Sequence, residues 1–473
     1  MNELLFDPEE HRKAGRLLGE FLAHYEIDLL DQPLLPPIDR DAMRAILTEP
    51  LPEEGRSLED LLQEFRDVVV PNSTNVAHPR FLPYVLPSPN GISAFADALA
   101  STLNQNCNLW TLSPAANAIE QRVISWFHEL FQFPPGSGGI ITSGGSMANL
   151  TALAIARDAH LGHDARAKGL QGRGSPLTLY ISEQVHNSVD KAAVIIGLGL
   201  DHVRHIPCDS QFRMRMDLLE KAVLQDRRAG LSPFCVVGSA GTVTTGAIDP
   251  LDTLADFCAE EGLWLHIDGA YGALAILSER MRAQLLPAGR ADSLSLDPHK
   301  MLFAPLEAGC VLVRDADHMR STYSFVPSYL SMESDADFLN YAEYGPQLSR
   351  SFKALKVWWS LRAYGRKAYA KAIDNLCDLA AYMGQRALVE ADLELMAPVT
   401  LNAVCVRCRD LTDDQNARVL AWLLADDVAF LGRAQVNGRF CLRACFMNLR
   451  TTRDDVDHIL DQMIRLGHEH LQE

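Results

Sequence analysis

The chain has 473 residues, 48% of them hydrophobic and 22% charged, an ordinary globular composition with room for two or three domains. Its formal net charge of -18 argues against nucleic acid or an anionic membrane surface as a partner, because both need clustered Lys and Arg. No apolar run approaches the roughly 20 residues that span a bilayer, and Met1 to Arg12 is acidic rather than basic-then-apolar, so a cytoplasmic protein is expected.

Residues 1–78 are expected to be helical and amphipathic, broken at Leu34-Leu35-Pro36-Pro37 and again by Pro50 and Pro52. That segment is too thin to bury a core of its own and is expected to pack on another domain or subunit. Residues 79–355 alternate between two patterns. Strand-like runs fall at Gly139 to Thr142, Leu177 to Ile181, Phe234 to Val237, Leu263 to Ile267 and Ser293 to Leu296, with helical stretches such as Ser146 to His160 and Asp252 to Glu261 between them. The alternation predicts an α/β domain with a mostly parallel sheet covered on both faces. Cys310 to Val313 follows the preceding strand too closely for a parallel crossover and is expected to run antiparallel. Residues 356–473 predict a smaller α/β domain. It should comprise a long helix from Lys356 to about Glu390, strands at Ala403 to Arg407 and Phe440 to Cys445, and a closing helix from Arg453 to Leu471.

Ten cysteines lie mostly in apolar or strand-like segments, as reduced, buried thiols do. Cys405, Cys408, Cys441 and Cys445 are numerous enough for a zinc ion. An offset of three along a strand, however, puts Cys405 and Cys408 on opposite faces, and the second pair lacks the two-residue spacing. Core packing is the favoured reading, with no metal expected.

Four runs carry chemistry. In Thr142-Ser143-Gly144-Gly145-Ser146-Met147-Ala148-Asn149 a strand turns through glycines into a helix, whose N-terminal amides and dipole can cradle a phosphate. Ser146 can cap that helix or donate to a phosphate oxygen; the same run also suits a plain αβ turn. His186, after a strand, can stack on an aromatic cofactor or move a proton, or serve merely as a cap. Asp268 ends an apolar strand and is followed by the small Gly269 and Ala270, so it can hold a protonated pyridine nitrogen while a flat ring lies close to the backbone. Lys300 closes Asp297-Pro298-His299-Lys300 at another strand end, where a lysine can form a Schiff base with pyridoxal 5'-phosphate (PLP). Singly, each has a bland reading as a solvated or capping residue. In this order on one α/β sheet they supply a phosphate cup, a ring partner, a pyridinium acid and a Schiff-base amine.

The run Ser293-Leu294, Pro298-His299-Lys300-Met301-Leu302, Leu306, Ala308, Val311, Arg314 resembles the attachment-site signature of the PLP-dependent group II amino-acid decarboxylases, the aromatic-L-amino-acid and glutamate decarboxylase family. The resemblance runs from about Pro79 to Gly365 and more weakly through both ends. It implies a fold-type I enzyme with a seven-stranded, mostly parallel sheet, a smaller C-terminal domain and an N-terminal helical segment, working as a homodimer with its site at the subunit interface. It also implies Lys300 as the cofactor-bearing lysine, Asp268 beside the pyridine nitrogen, Ala270 under the ring and His186 on its other face. Gly145, Ser146 and His299 would hold the phosphate, Thr242 would stand on the cofactor side, and Asp297 stands where many animal members carry Asn. Ser88 and Trp110 match positions that meet the cofactor or substrate. Tyr329 matches a loop tyrosine thought to protonate the substrate carbon after CO2 leaves; relatives with Phe there tend toward aldehydes.

The expected activity is therefore decarboxylation of an L-amino acid to its amine. An aldehyde synthase and a non-catalytic PLP-binding homologue are the alternatives. Trp110-Thr111-Leu112-Ser113-Pro114-Ala115 resembles the aromatic-acid members, whereas Asn104-Gln105-Asn106 resembles the glutamate and diaminobutyrate branches. The aromatic substrate is favoured. Arg350 could bind a substrate carboxylate, with a structural ion pair the preferred role.

Overall fold

Seven strands form the larger sheet: β2 (Gly138–Thr142), β3 (Leu177–Ser182), β4 (Val203–Ile206), β5 (Ser232–Ser239), β6 (Trp264–Asp268), β7 (Ser293–Leu296) and β8 (Gly309–Val313). The computed structural model describes residues 5–29, 32–162, 165–172, 174–325 and 338–471. The strand order is β2-β8-β7-β6-β5-β3-β4. β8 runs antiparallel to both of its neighbours, while the pairs from β7 to β4 are parallel. The short chain between β7 and β8 leaves no length for a crossover, as the sequence implied.

Alternation along each strand feeds two cores. Tyr180 and Val236 belong to one buried cluster, and Leu179, Ile181, Cys235 and Val237 to another. The helix Gly145–His160 lies across β5 to β8 and the helix Pro114–Phe131 against β2. Because side chains of a strand alternate between faces, a sheet covered on both sides buries nearly every residue. β4 is the exception, an edge strand on which His205 is exposed and Arg204 is half-buried against Asp226. Its short, half-polar run carries too weak a signature for sequence to mark.

The smaller sheet has the order β1-β11-β12-β10-β9, made from β1 (Phe81–Leu82), β9 (Leu393–Leu395), β10 (Ala403–Cys408), β11 (Phe430–Val436) and β12 (Arg439–Cys445). β1 pairs in parallel with β11, Phe81 opposite Phe430. These first residues after the N-terminal segment were assigned by sequence to the large domain, yet they complete the small sheet. A two-residue strand has no periodicity of its own, so only its distant partner reveals it.

The long helix Ala354–Val389 breaks at Gly365, whose φ of 73° is left-handed. The sequence reading had it continuous. In the N-terminal segment, the helix Pro8–Asp28 starts at an Asp7 capping box closed by Glu10. The helices Arg40–Thr48 and Leu58–Glu64 bury no residue at all. Among the described residues no helix is long and apolar enough to cross a membrane.

Cys405 and Cys408 point to opposite sides of β10: Cys405 Sγ lies 3.4 Å from the Thr244 carbonyl and Cys408 Sγ 3.5 Å from that of Met463. All ten thiols are free. Arg350 is 5% exposed. It forms a buried ion pair with Glu120 and donates to the carbonyls of Cys107 and Ile141 at 2.8 and 3.0 Å. Glu120 also accepts from the Ile141 amide at 2.9 Å. Arg350 therefore clamps the helix Pro114–Phe131 to β2. Removing it strands a buried carboxylate, so Arg350→Ala should destabilise the protein by about 3–5 kcal/mol, read from the denaturant midpoint. A shift below about 1 kcal/mol would deny the clamp.

Candidate active site

The parallel strands deliver their C-terminal ends to one edge of the large sheet, where α/β folds place ligands. A cavity of about 300 Å³ opens there. Each of its main side chains follows a different strand: Gly145 and Ser146 follow β2, His186 follows β3, Thr242 follows β5, Asp268 ends β6, and Asp297, His299 and Lys300 follow β7. Ala270 joins them. The four runs singled out in the sequence thus meet in one place.

At one end of the cavity the helix Gly145–His160 begins. Gly144 is its N-cap and no side chain caps it. The expectation that Ser146 might cap this helix is corrected: Ser146 lies inside the first turn, exposed toward the cavity. The helix N-terminus is left to an anion. Packing here requires glycine. A Cβ on Gly145 would meet Ala270 Cβ at 2.7 Å and Asp297 Oδ2 at 3.0 Å, and one on Gly309 would meet Gly144 Cα at 2.4 Å. His299 Nδ1 accepts from the Ala308 amide at 3.1 Å, which leaves the ring's proton on Nε2. Burial pushes the pKa of this ring down, so it is neutral.

At the other end Asp268 is held on both oxygens. Oδ1 accepts from the Ala270 amide and from Ser295 Oγ, each at 3.2 Å, and Oδ2 accepts from Asn149 Nδ2 at 2.9 Å. His186 faces the cavity and its pKa is lowered, mainly by burial. Lys300 Nζ stands 3.1 Å from Asp297 Oδ2. Asp297 is 1% exposed, and its Oδ1 is buried without a hydrogen-bond partner. A buried carboxylate oxygen left open is costly and marks a place where a further donor belongs. Thr242 lines the wall, its hydroxyl held within its own turn by Thr245 Oγ1 at 3.0 Å and the Ala247 amide at 3.1 Å.

These residues fit PLP: helix amides with Ser146 and His299 for a phosphate, an acid for a ring nitrogen, a small residue and an imidazole for the ring's faces, and an amine for its carbonyl.

Two residues expected at a site on the subunit interface do not line the cavity within the single chain. Ser88 is buried and accepts from Arg450 Nη1 at 3.0 Å, beside a separate cavity lined by Phe303 and Tyr364. Trp110 stacks on Phe338 with ring centroids 3.6 Å apart, and its amide donates to Asn340 Oδ1 at 3.0 Å. Within one chain neither lines the cavity around Lys300. Tyr329 lies outside the described residues. Conversely, Asn149, Ser188 and His266 were missed as site residues, although Asn149 stands in the glycine-turn run. No local pattern marks them, since the contacts that Asn149 makes with Ser188, His266 and Asp268 join distant parts of the chain.

Comparison with known proteins agrees with this chemistry. Residues 41–409 match the family model described as the pyridoxal-dependent decarboxylase conserved domain. The aromatic-L-amino-acid decarboxylase of Bacillus atrophaeus is 36% identical over 481 residues, covering 98% of this chain and 97% of the relative. A phenylacetaldehyde synthase of Petunia hybrida is 27% identical, covering 93% of this chain and 90% of its own. The crystal structure of Oryza sativa TDC with PLP and tryptamine superposes with a TM-score of 0.91 at 26% identity, over 99% of both chains. With the matched domain spanning most of its length, the chain belongs to the PLP-dependent group II amino-acid decarboxylases.

Proposed function

We propose that this enzyme decarboxylates an aromatic L-amino acid to its amine, with Lys300 carrying PLP. The observation that carries the reading is Lys300 at the mouth of a cavity walled by Gly145, Ser146, His186, Asp268 and His299. The aromatic preference is supported by the Trp110 run and by the Bacillus atrophaeus relative. A cytoplasmic location is supported by the acidic, ordinary globular composition alone.

In this reading the first-turn amides at Gly145, with Ser146 and the Nε2–H of His299, bind the phosphate. Asp268 accepts a hydrogen bond from the pyridine nitrogen and keeps it protonated. Ala270 and His186, both lining the cavity, would pack against the ring. Bound there, PLP supplies an electron sink for the pair left on Cα when CO2 departs. Asp297, 3.1 Å from Lys300 Nζ, would hold the amine in place and offer it a hydrogen-bond acceptor. Tyr329 delivers the proton to Cα. That role separates amine formation from the aldehyde chemistry that the Petunia hybrida relative is named for.

Purified protein with PLP should release CO2 and amine from L-tryptophan, L-tyrosine, L-phenylalanine or L-DOPA in preference to L-glutamate and L-2,4-diaminobutyrate. Aldehyde and peroxide as the main products would overturn the decarboxylase reading, and glutamate as the best substrate would overturn the aromatic one.

We infer a homodimer in which Ser88 and Trp110 complete the second subunit's cavity. Two features support it: neither residue lines its own chain's cavity, and the N-terminal segment leaves Leu47 84% and Leu51 91% exposed. Co-expressing Lys300→Ala with Trp110→Ala should then restore activity that neither variant shows alone, because a mixed dimer assembles one intact site. No restoration in isolated mixed dimers would place each site within a single chain.

A further inference from the structure

Asn149 is the branch point of a buried run of hydrogen bonds that reaches two groups facing the cavity. Its Nδ2 donates to Asp268 Oδ2 at 2.9 Å and to Ser188 Oγ at 3.0 Å. Its Oδ1 lies 3.0 Å from His266 Nε2. Behind it, His266 Nδ1 is 2.9 Å from Ser293 Oγ, which accepts from Trp264 Nε1 at 2.8 Å. In front, Ser188 Oγ is 2.8 Å from His186 Nδ1, and the Ser188 amide donates to the same nitrogen at 3.2 Å. Asn149, Ser188, His266 and Ser293 are all buried.

The donor and acceptor inventory assigns every proton in this run. A carboxylate only accepts, so Asn149 must turn its amide nitrogen to Asp268 and its oxygen to His266. That oxygen needs a donor, so His266 carries its proton on Nε2 and its Nδ1 is bare. The Ser293 hydroxyl then donates to Nδ1 while accepting from the indole. At the other end the Ser188 amide points at His186 Nδ1, which must also be bare. The Ser188 hydroxyl, having accepted from Asn149, gives its proton to that same nitrogen. His186 is left with one proton, on Nε2. Burial lowers the pKa of both rings, that of His266 to about 4.

We propose that His266 and Asn149 are positioning residues that set the hydrogen-bond polarity of the cofactor site: they lock the orientation of the Asp268 carboxylate and hold His186 as the Nε2–H tautomer. The inference rests on the PLP reading of the cavity. In this state His186 offers its Nε2–H as a donor to an acceptor on cofactor or substrate. Asp268 keeps a lone pair on Oδ2, because its single partner there is held from behind. Without the His266 donor, the Asn149 amide loses the contact that opposes rotation, and both branches lose their direction.

Nitrogen-15 histidine NMR of the apo protein reads the tautomers directly. His186 and His266 should both show a protonated Nε2 and a bare Nδ1 between about pH 6 and 8. His266→Phe should weaken equilibrium PLP binding about 10- to 100-fold and shift the pH midpoint of the Schiff-base absorbance. His266→Gln, which can still donate to Asn149, should recover binding to within about threefold at a similar apo melting temperature. His186 with its proton on Nδ1, or His266→Phe with wild-type affinity and spectrum, would overturn the proposal. Should His266→Phe fail to fold, the wild-type tautomers and the PLP affinity of His266→Gln decide the matter. Wild-type protein that shows these tautomers but binds no PLP would overturn the cofactor reading alone; PLP binding with the opposite His186 tautomer would overturn only this inference.

Discussion

Lys300→Ala should lose the Schiff-base absorbance of the bound cofactor and at least about a thousandfold in kcat. The remaining contacts at Ser146, His299 and Asp268 do not depend on this amine, so the variant should still retain PLP without a covalent link. The fold should survive too, because the Lys300 side chain is 22% exposed and its partner Asp297 belongs to the site rather than to the core. Absorbance spectra with and without borohydride, beside steady-state rates, check both statements. A variant that keeps the covalent adduct would show that another lysine carries the cofactor.

Asp268→Asn should lower kcat by about 10²- to 10³-fold while leaving the cavity's shape nearly intact. The substitution is close to isosteric, and Asn149, Ser295 and the Ala270 amide remain around it. What disappears is the negative charge that keeps a pyridine nitrogen protonated, and with it most of the stabilisation of the electron pair on Cα. Affinity for PLP should fall as well, because a charge-assisted bond becomes a neutral one. Single-turnover rates under saturating PLP separate the two effects. A rate within about threefold of wild type would mean that the acid serves only to bind.

Much of this site was legible before any coordinates, for a reason visible in particular runs. Gly144-Gly145-Ser146, His186, Asp268 and Asp297 to Lys300 each sit just after an apolar strand. In a parallel sheet all such ends emerge on one edge, so contiguous motifs converge even when more than a hundred residues separate them. The antiparallel direction of β8 was equally local, since the short link from β7 allows nothing else. Ser88 and Trp110 were different. Their motifs were recognisable, but which cavity they serve depends on where a whole surface faces, and one chain turns both away from its own Lys300. β1, β4 and the break at Gly365 escaped because two to four residues, or one glycine, carry no period. Asn149 was in plain view within the glycine-turn run, yet its role is defined by His266 and Asp268 on a strand more than a hundred residues away.

By itself, then, the sequence determined the class of sheet, the strand ends that carry chemistry and the cofactor they suit. Those features follow from hydrophobic period, turn chemistry and residue type, all of which act over a few neighbouring residues. Tertiary structure alone decided that Asp297 is buried against Lys300 with one oxygen open, that Arg350 is spent on Glu120, and that Asn149 links Asp268 to His266. Each of these depends on burial, which no local pattern fixes, and the Arg350 and Asn149 contacts also need partners more than a hundred residues away; in a buried site a polar group's role is set by the partner it is given.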